Sequence, residues 1–205
     1  MQKAIFNIQN ETDFERCALQ VFKHQFENNK VYRSFCDLLY IHPSDVKQVA
    51  QIPFLPIQFF KTHQILSTNQ SVQETFTSSG TTGALVSKHL VTDTSWYEAS
   101  YTKAFEHFYG PIKDYTVLGL LPNYLEREGS SLIYMVNDFI QKSNKPKSGF
   151  YLDNLSELSK TLEVLDQQGE KVLLIGVTFA LLALIESQSF TLKNTVIMET
   201  GGMKG

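Results

Sequence analysis

The amino-acid sequence predicts an α/β fold, with a mostly parallel sheet flanked by helices and with an N-terminal helical segment. Continuous apolar runs of strand length recur in the second half of the chain, as expected of strands that are buried on both faces. The three clearest runs are residues 115–121, 171–175 and 194–198. Stretches with apolar residues at helical spacing lie between them. This alternation favours βαβ crossovers and hence a largely parallel sheet.

The pattern divides the chain into an N-terminal segment, residues 1–72, and a longer region, residues 73–205. The N-terminal segment is expected to be helical and extended and to pack on the longer region. Thr12 followed by Glu15 has the form of a capping box, and the apolar residues after it continue at helical spacing. A helix is therefore predicted over residues 12–28.

Caps and prolines mark the remaining elements. Pro53 and Pro56 exclude a helix interior and a central strand, so residues 52–61 are predicted to be an extended apolar segment. The caps expected for later helices are Ser130, and Asn154 together with Glu157. Further helices are expected over 31–40, 131–141 and 177–187, and further strands over 73–77, 85–91 and 148–152.

Charge and composition limit the class of protein. The 205 residues carry a formal net charge of −3, which gives no reason to expect nucleic acid or an anionic membrane as a partner. The most apolar window, residues 172–185, is shorter than the ~18 residues of a membrane span. Cys17 and Cys36 lie in helical patterns and are expected to be core thiols. We therefore expect a soluble, cytoplasmic protein without a membrane span.

Seven consecutive residues between two strand-like runs consist only of hydroxyl residues and glycine. They are Thr77, Ser78, Ser79, Gly80, Thr81, Thr82 and Gly83. Glycine allows a close approach of the backbone, and successive N–H groups in such a turn form a concave anion site to which hydroxyls add donors. The pattern favours a phosphate cradle, and a flexible hairpin connection is the alternative. Walker, dinucleotide, nucleophile-elbow and zinc-protease motifs do not occur in the sequence.

Two further loops follow predicted strands, in addition to the hydroxyl loop after Phe76. They are Pro122-Asn123-Tyr124 after Leu121, and Thr200-Gly201-Gly202 after Met198. Ligands of parallel α/β sheets bind at the carboxyl ends of the strands. The three loops are therefore expected to lie on one rim of the sheet.

The hydroxyl loop resembles the phosphate loop of the adenylate-forming superfamily, which includes acyl-CoA synthetases and adenylation domains. Its doubled serine, Ser78-Ser79, is similar to that of the phenylacetate–CoA ligase branch. Residues 121–124 resemble the acyl-pocket motif, and Thr200-Gly201-Gly202 is similar to the Gly-Gly turn against which adenine lies. Within the superfamily, the proline segment at 52–61 most resembles the acyl-protein synthetases, the fatty-acid–protein ligases of bacterial luminescence.

The resemblance implies an enzyme that uses ATP and Mg²⁺ to activate a carboxylic acid, favouring a fatty acid, as an acyl-adenylate. The acyl group would then pass to a protein thiol, with an acyl-reductase or another acyl-accepting protein as partner. Residues 73–205 would bind nucleotide and acyl group. The implied nucleotide-binding residues are the seven of the hydroxyl loop with Lys88, Gly201 and Gly202, and the implied substrate pocket is Pro122, Asn123 and Tyr124.

Two departures from the family pattern keep alternatives open. Val86 stands where many members carry a lysine, and no catalytic residue of the family is identified in this chain. The motifs that follow the Gly-Gly turn in the family do not occur in these 205 residues, so we expect an N-terminal part that is inactive alone. The alternatives are a phenylacetate-type acyl-CoA ligase and a non-catalytic module that binds nucleotide or acyl group.

Overall fold

The computed structural model describes residues 2–78, 85–121, 129–152 and 154–201. The chain forms two compact units, Met1–Ser100 and Tyr101–Gly205. The predicted division at residue 72 concerns the packing of residues 1–72 on the rest of the chain and the binding role of residues 73–205. It stays a prediction.

Helices make up most of the first unit. They are α1 (Gln2–Ile5), α2 (Glu11–Asn28), α3 (Lys30–Leu38) and α4 (Phe59–Thr62), with a 3₁₀ turn at Val49–Gln51. The predicted capping box at the start of α2 is wrong. The side chain of Asn10, not that of Thr12, accepts the hydrogen bond from the Asp13 N–H. Both residue types are good caps, and the helix begins two residues earlier than the capping box implies.

A small aromatic core joins α2 and α3. Phe22 meets the edge of Tyr32 with ring centroids 6.1 Å apart, and Cys36 is fully buried beside them. Burial raises the pKa of the Cys36 thiol and that of Tyr32. Cys17 is also buried, and both cysteines are free, which confirms the prediction of core thiols.

The proline segment is anchored to this core. The Tyr32 hydroxyl donates a hydrogen bond of 2.6 Å to the Pro53 carbonyl oxygen. The extended prediction fails for the last residues of the segment, because α4 begins at Phe59, whose N–H donates to the Pro56 carbonyl at 3.0 Å. Beyond Pro56 the N–H groups are again available, so a helical turn can form.

The hydroxyl loop joins two strands of an antiparallel hairpin. Strand β1 (Glu74–Thr77) pairs with β2 (Lys88–Val91), and helix α5 (Thr94–Tyr109) follows. The hairpin is a two-stranded sheet of its own. The expectation that the loop follows a strand of the parallel sheet is therefore wrong. The pattern of strand, polar loop and strand fits a separate hairpin as well as it fits part of the parallel sheet. It does not indicate which sheet the two strands join.

The second unit contains the parallel sheet that the sequence predicts. Its strands are β3 (Tyr115–Leu120), β4 (Gly149–Phe150), β5 (Lys171–Gly176) and β6 (Thr195–Glu199), in the order β4-β3-β5-β6. All three neighbouring pairs are parallel, which confirms the α/β prediction. The helices are α6 (Ser131–Ser143), α7 (Leu155–Gln167) and α8 (Thr178–Ser187).

One core cluster of this unit lies between the sheet and helices α7 and α8, and leucines dominate it. Its buried members are Leu118, Leu120, Leu158, Leu162, Leu165, Val172, Leu174, Ala180 and Leu184. Two predicted caps are confirmed: Ser130 accepts from the Ile133 N–H, and Asn154 accepts from the Glu157 N–H. Among the residues described, no helix is long and apolar enough to cross a membrane.

Gly119 allows β3 to lie directly under an aromatic ring. A Cβ at this position would be 2.9 Å from a Phe150 ring carbon and 3.2 Å from Val136. We predict that Gly119→Ala lowers the free energy of unfolding by about 1–3 kcal/mol, the usual cost of overpacking a core. Urea unfolding measures the change. Gly149→Ala is the control, since its Cβ would meet nothing closer than 3.8 Å; equal losses in both variants would contradict the prediction.

Asp166 fastens the end of α7 to the start of β6. Its carboxylate accepts hydrogen bonds from the Asn194 N–H at 2.7 Å and from the Lys193 N–H at 2.9 Å. These backbone donors, Asn194 first, lower the pKa of Asp166. The ionised carboxylate is therefore favoured in the folded state.

The lowered pKa predicts how the contribution of Asp166 changes with pH. Its stabilisation is present above the unfolded pKa, about 3.9, and is lost as the pH falls through the lower folded value. Asp166→Ala should lower Tm at neutral pH, and its difference from wild type should narrow below about pH 4. Thermal unfolding from pH 7 to acid checks this. Asp37→Ala, which removes an exposed carboxylate 3.9 Å from Arg33, should change Tm little.

Candidate functional site

The carboxyl ends of three strands lie in one row in the second unit. Leu120 at the end of β3 is in register with Gly176 at the end of β5, and Gly176 is in register with Glu199 at the end of β6. The turns that leave these strands therefore start side by side. Such an edge is the usual ligand site of a parallel α/β sheet.

Hydrogen bonds hold the turn after β6 against the turn after β5. The Thr200 N–H and hydroxyl both donate to the Gly176 carbonyl oxygen, at 3.0 Å and 3.1 Å. The Thr178 N–H donates to the Gly201 carbonyl oxygen at 3.0 Å. The N-terminus of α8 is thereby fixed to the end of β6.

Glu199 closes the same arrangement from its side chain. One carboxylate oxygen accepts hydrogen bonds from the Thr178 hydroxyl and, at 2.9 Å, from the Gly201 N–H. Gly201 has φ +75°, a backbone conformation that residues other than glycine rarely adopt. A Cβ built on Gly201 would meet nothing within 4 Å, so this face of the turn is open.

The structure describes part of the predicted adenine and acyl sites. Gly201 lies at the carboxyl edge of the sheet, where the sequence predicts it, and Leu121 is buried immediately after β3. The predictions for Gly202 and for Pro122, Asn123 and Tyr124 fall outside the described residues. Their roles stay predictions.

The base of the hydroxyl loop is closed by a pair of serines in the first unit. The Ser78 N–H donates to the Ser87 carbonyl at 3.1 Å, and the Ser87 N–H donates to the Ser78 hydroxyl oxygen at 3.0 Å. Lys88 is exposed and lies opposite Thr77, so the two side chains share one face of the hairpin. An ammonium group and a hydroxyl therefore stand together where the loop begins.

The remaining loop predictions, for Ser79, Gly80, Thr81, Thr82 and Gly83, fall outside the described residues. Among the residues that are described, no group of three or more His, Cys, Asp or Glu side chains could hold a metal ion. Magnesium in nucleotide enzymes is held largely by substrate phosphates and water.

The sequence patterns do not identify Glu199 or Thr178 as site residues. The two lie 21 residues apart and meet only because β5 and β6 are neighbours. The signal that could have revealed them is a polar residue at the end of each of two consecutive apolar strands.

The first unit is similar to proteins of known class. Residues 4–99 match the family model described as acyl-protein synthetase, LuxE. A curated relative from Photorhabdus luminescens, a long-chain-fatty-acid–luciferin-component ligase, is 29% identical over 70 residues. That match covers 34% of this chain and 60% of the relative, so the chain matches less than two thirds of that protein's length. No solved structure matches the chain.

These matches confirm the resemblance that the sequence predicts. The family model that residues 4–99 match is that of acyl-protein synthetases. Within that class, the resemblance is to the luminescence type.

The closing serine pair gives a local prediction. Ser78→Ala removes the hydrogen bond that the Ser87 N–H makes to the Ser78 hydroxyl, a contribution of about 0.5–1.5 kcal/mol. Amide hydrogen exchange at Ser87, followed by NMR, should become faster, while α2 keeps its protection. Ser71→Ala, an exposed serine of the same unit, is the control. Unchanged exchange at Ser87 would contradict the predicted role of the pair.

Proposed function

We propose that this chain is part of a ligase that activates a carboxylic acid, favouring a long-chain fatty acid, with ATP as an acyl-adenylate and transfers the acyl group to a protein thiol. The observation that carries the proposal is the match of residues 4–99 to the acyl-protein synthetase family. The name of the Photorhabdus relative, long-chain-fatty-acid–luciferin-component ligase, supports the choice of acid. An acyl-reductase or another acyl-accepting protein would be the partner.

In this proposal the hydroxyl loop binds the triphosphate of ATP. Its N–H groups and hydroxyls would donate to phosphate oxygens, and Lys88, on the same face as Thr77, would add a positive charge. Donors fixed in advance stabilise charge that develops on departing pyrophosphate, the type of stabilisation that often dominates catalysis. Mg²⁺, bound with the nucleotide, would neutralise part of the phosphate charge.

The carboxyl edge of the parallel sheet would receive the adenine ring and the acid. Gly201 and Gly202 would form the surface on which the adenine lies, and the open face at Gly201 supports that role. Pro122, Asn123 and Tyr124, which follow Leu121 at the end of β3, would line the acid pocket. We place this activity in the cytoplasm, where ATP and reduced protein thiols occur together.

We propose a protein thiol, rather than coenzyme A, as the acceptor of the acyl group. The family match is to acyl-protein synthetases, whose name specifies a protein acceptor. A phenylacetate-type acyl-CoA ligase would share the activation step and differ only in the thiol. The acceptor is therefore tested separately, by following a radiolabelled acid into protein or into coenzyme A.

The activation step is tested by ATP–pyrophosphate exchange in the uninterrupted gene product, with a panel of short, aryl and long-chain acids. We expect exchange that depends on the acid and is fastest with a long-chain acid. Exchange that is absent with every acid, in a protein that still binds ATP, would instead identify a non-catalytic nucleotide-binding module.

The loop is tested by the double variant Thr81→Ala and Thr82→Ala. It should weaken ATP binding and slow the exchange by about tenfold or more, because two donors to the phosphates are lost. A matched control is Ser189→Ala with Thr191→Ala, which deletes two exposed hydroxyls from the loop before β6. ATP affinity and exchange that remain at wild-type values in the Thr81 and Thr82 variant would exclude the loop as the phosphate cradle.

A further inference from the structure

The carboxylate of Glu199 is shared by two turns at the carboxyl edge of the sheet. It accepts from the Thr178 hydroxyl, at the start of α8, and from the Gly201 N–H, two residues beyond β6. Hydrogen bonds to a charged acceptor are about twice as strong as neutral ones. Glu199 and Thr178 therefore form a clamp across the ends of β5 and β6.

The clamp acts on a residue whose conformation needs support. Gly201 has φ +75°, and glycine loses more conformational freedom on folding than other residues. Its N–H is held by Glu199 and its carbonyl oxygen by the Thr178 N–H, so both sides of the residue are fixed. The face that a Cβ would occupy is open, with nothing within 4 Å of that position.

An open glycine face beside a strand end suits a flat ring. Both polar groups of Gly201 already have partners, so the turn offers a stacking surface rather than hydrogen-bond donors. We propose that Glu199 is a positioning residue, which together with Thr178 holds Gly201 so that its open face receives the adenine ring. This inference rests on the proposed function, and it assigns to Glu199 and Thr178 the orientation of the nucleotide base.

The experiment compares Glu199→Ala with Glu199→Gln in the uninterrupted gene product. Alanine removes the acceptor, whereas glutamine keeps one oxygen for the two donors. In acid-dependent ATP–pyrophosphate exchange, Glu199→Ala should raise KM for ATP about tenfold, the effect of losing hydrogen bonds to a charged group. The KM for the acid and the kcat should stay within about twofold, since the clamp does not touch the reacting atoms. Glu199→Gln should restore most of the ATP affinity.

A second variant and a second measurement distinguish loss of the clamp from misfolding of the Glu199→Ala variant. Thr178→Val removes only the hydroxyl donor and should raise KM for ATP in the same direction, while Thr178→Ser should not. Combining Glu199→Ala with Thr178→Val should cost less than the sum of the single effects, because both remove one clamp. Amide exchange of Gly201 by NMR should be faster in Glu199→Ala and close to wild type in Glu199→Gln.

The control and the contrary outcomes separate this inference from the proposed function. Glu186→Ala deletes an exposed carboxylate at the far end of α8 and should leave KM for ATP unchanged. If the wild-type protein shows no pyrophosphate exchange with any of the acids, the proposed function is overturned. The role of Glu199 toward adenine is then overturned with it. Wild-type exchange with an unchanged KM for ATP in Glu199→Ala overturns the positioning role alone. A fall in kcat with both KM values unchanged also overturns it.

Discussion

The register of three parallel strands is the constraint on which the candidate site of the second unit depends. Pairing of Leu120 with Gly176, and of Gly176 with Glu199, makes β3, β5 and β6 end in one row. A shift of one residue would turn every side chain of a strand to the other face and bury the wrong set. The leucine core that packs one face of the sheet against α7 and α8 therefore also fixes which residues lie at its edge. Catalytic geometry here is inherited from packing.

Support for the proposed function is distributed unevenly over the molecule. The family match ends at residue 99, whereas the parallel sheet spans Tyr115 to Glu199. The similarity to acyl-protein synthetases thus lies in the helical first unit and its hairpin, whereas the proposed adenine and acid sites lie in the second. The two lines are independent, because neither the helices of residues 11–38 nor the hairpin contributes a strand to the parallel sheet.

Sequence patterns predict the parallel sheet well because continuous apolar runs of strand length are typical of strands buried on both faces. The Ser130 cap was equally readable, since it stands directly before an apolar stripe. The cap of α2 was not, because Asn10 and Thr12 are both good caps and only the packed helix selects one. The sequence does not predict which sheet the hairpin strands join, because four-residue strands contain too little pattern to indicate their pairing partners. The contact between Glu199 and Thr178 depends on strand order, which a linear pattern does not contain.

The carboxylate at the end of β6 has an electrostatic consequence for the orientation of a bound nucleotide. Glu199 places a negative charge beside the open face of Gly201, and the Gly201 N–H, already held by that charge, is not available to a phosphate. A triphosphate brought to this edge would be repelled by the like charge of the carboxylate. An uncharged purine would not. In the proposed function, this charge would therefore favour the uncharged base of ATP over its triphosphate at the edge.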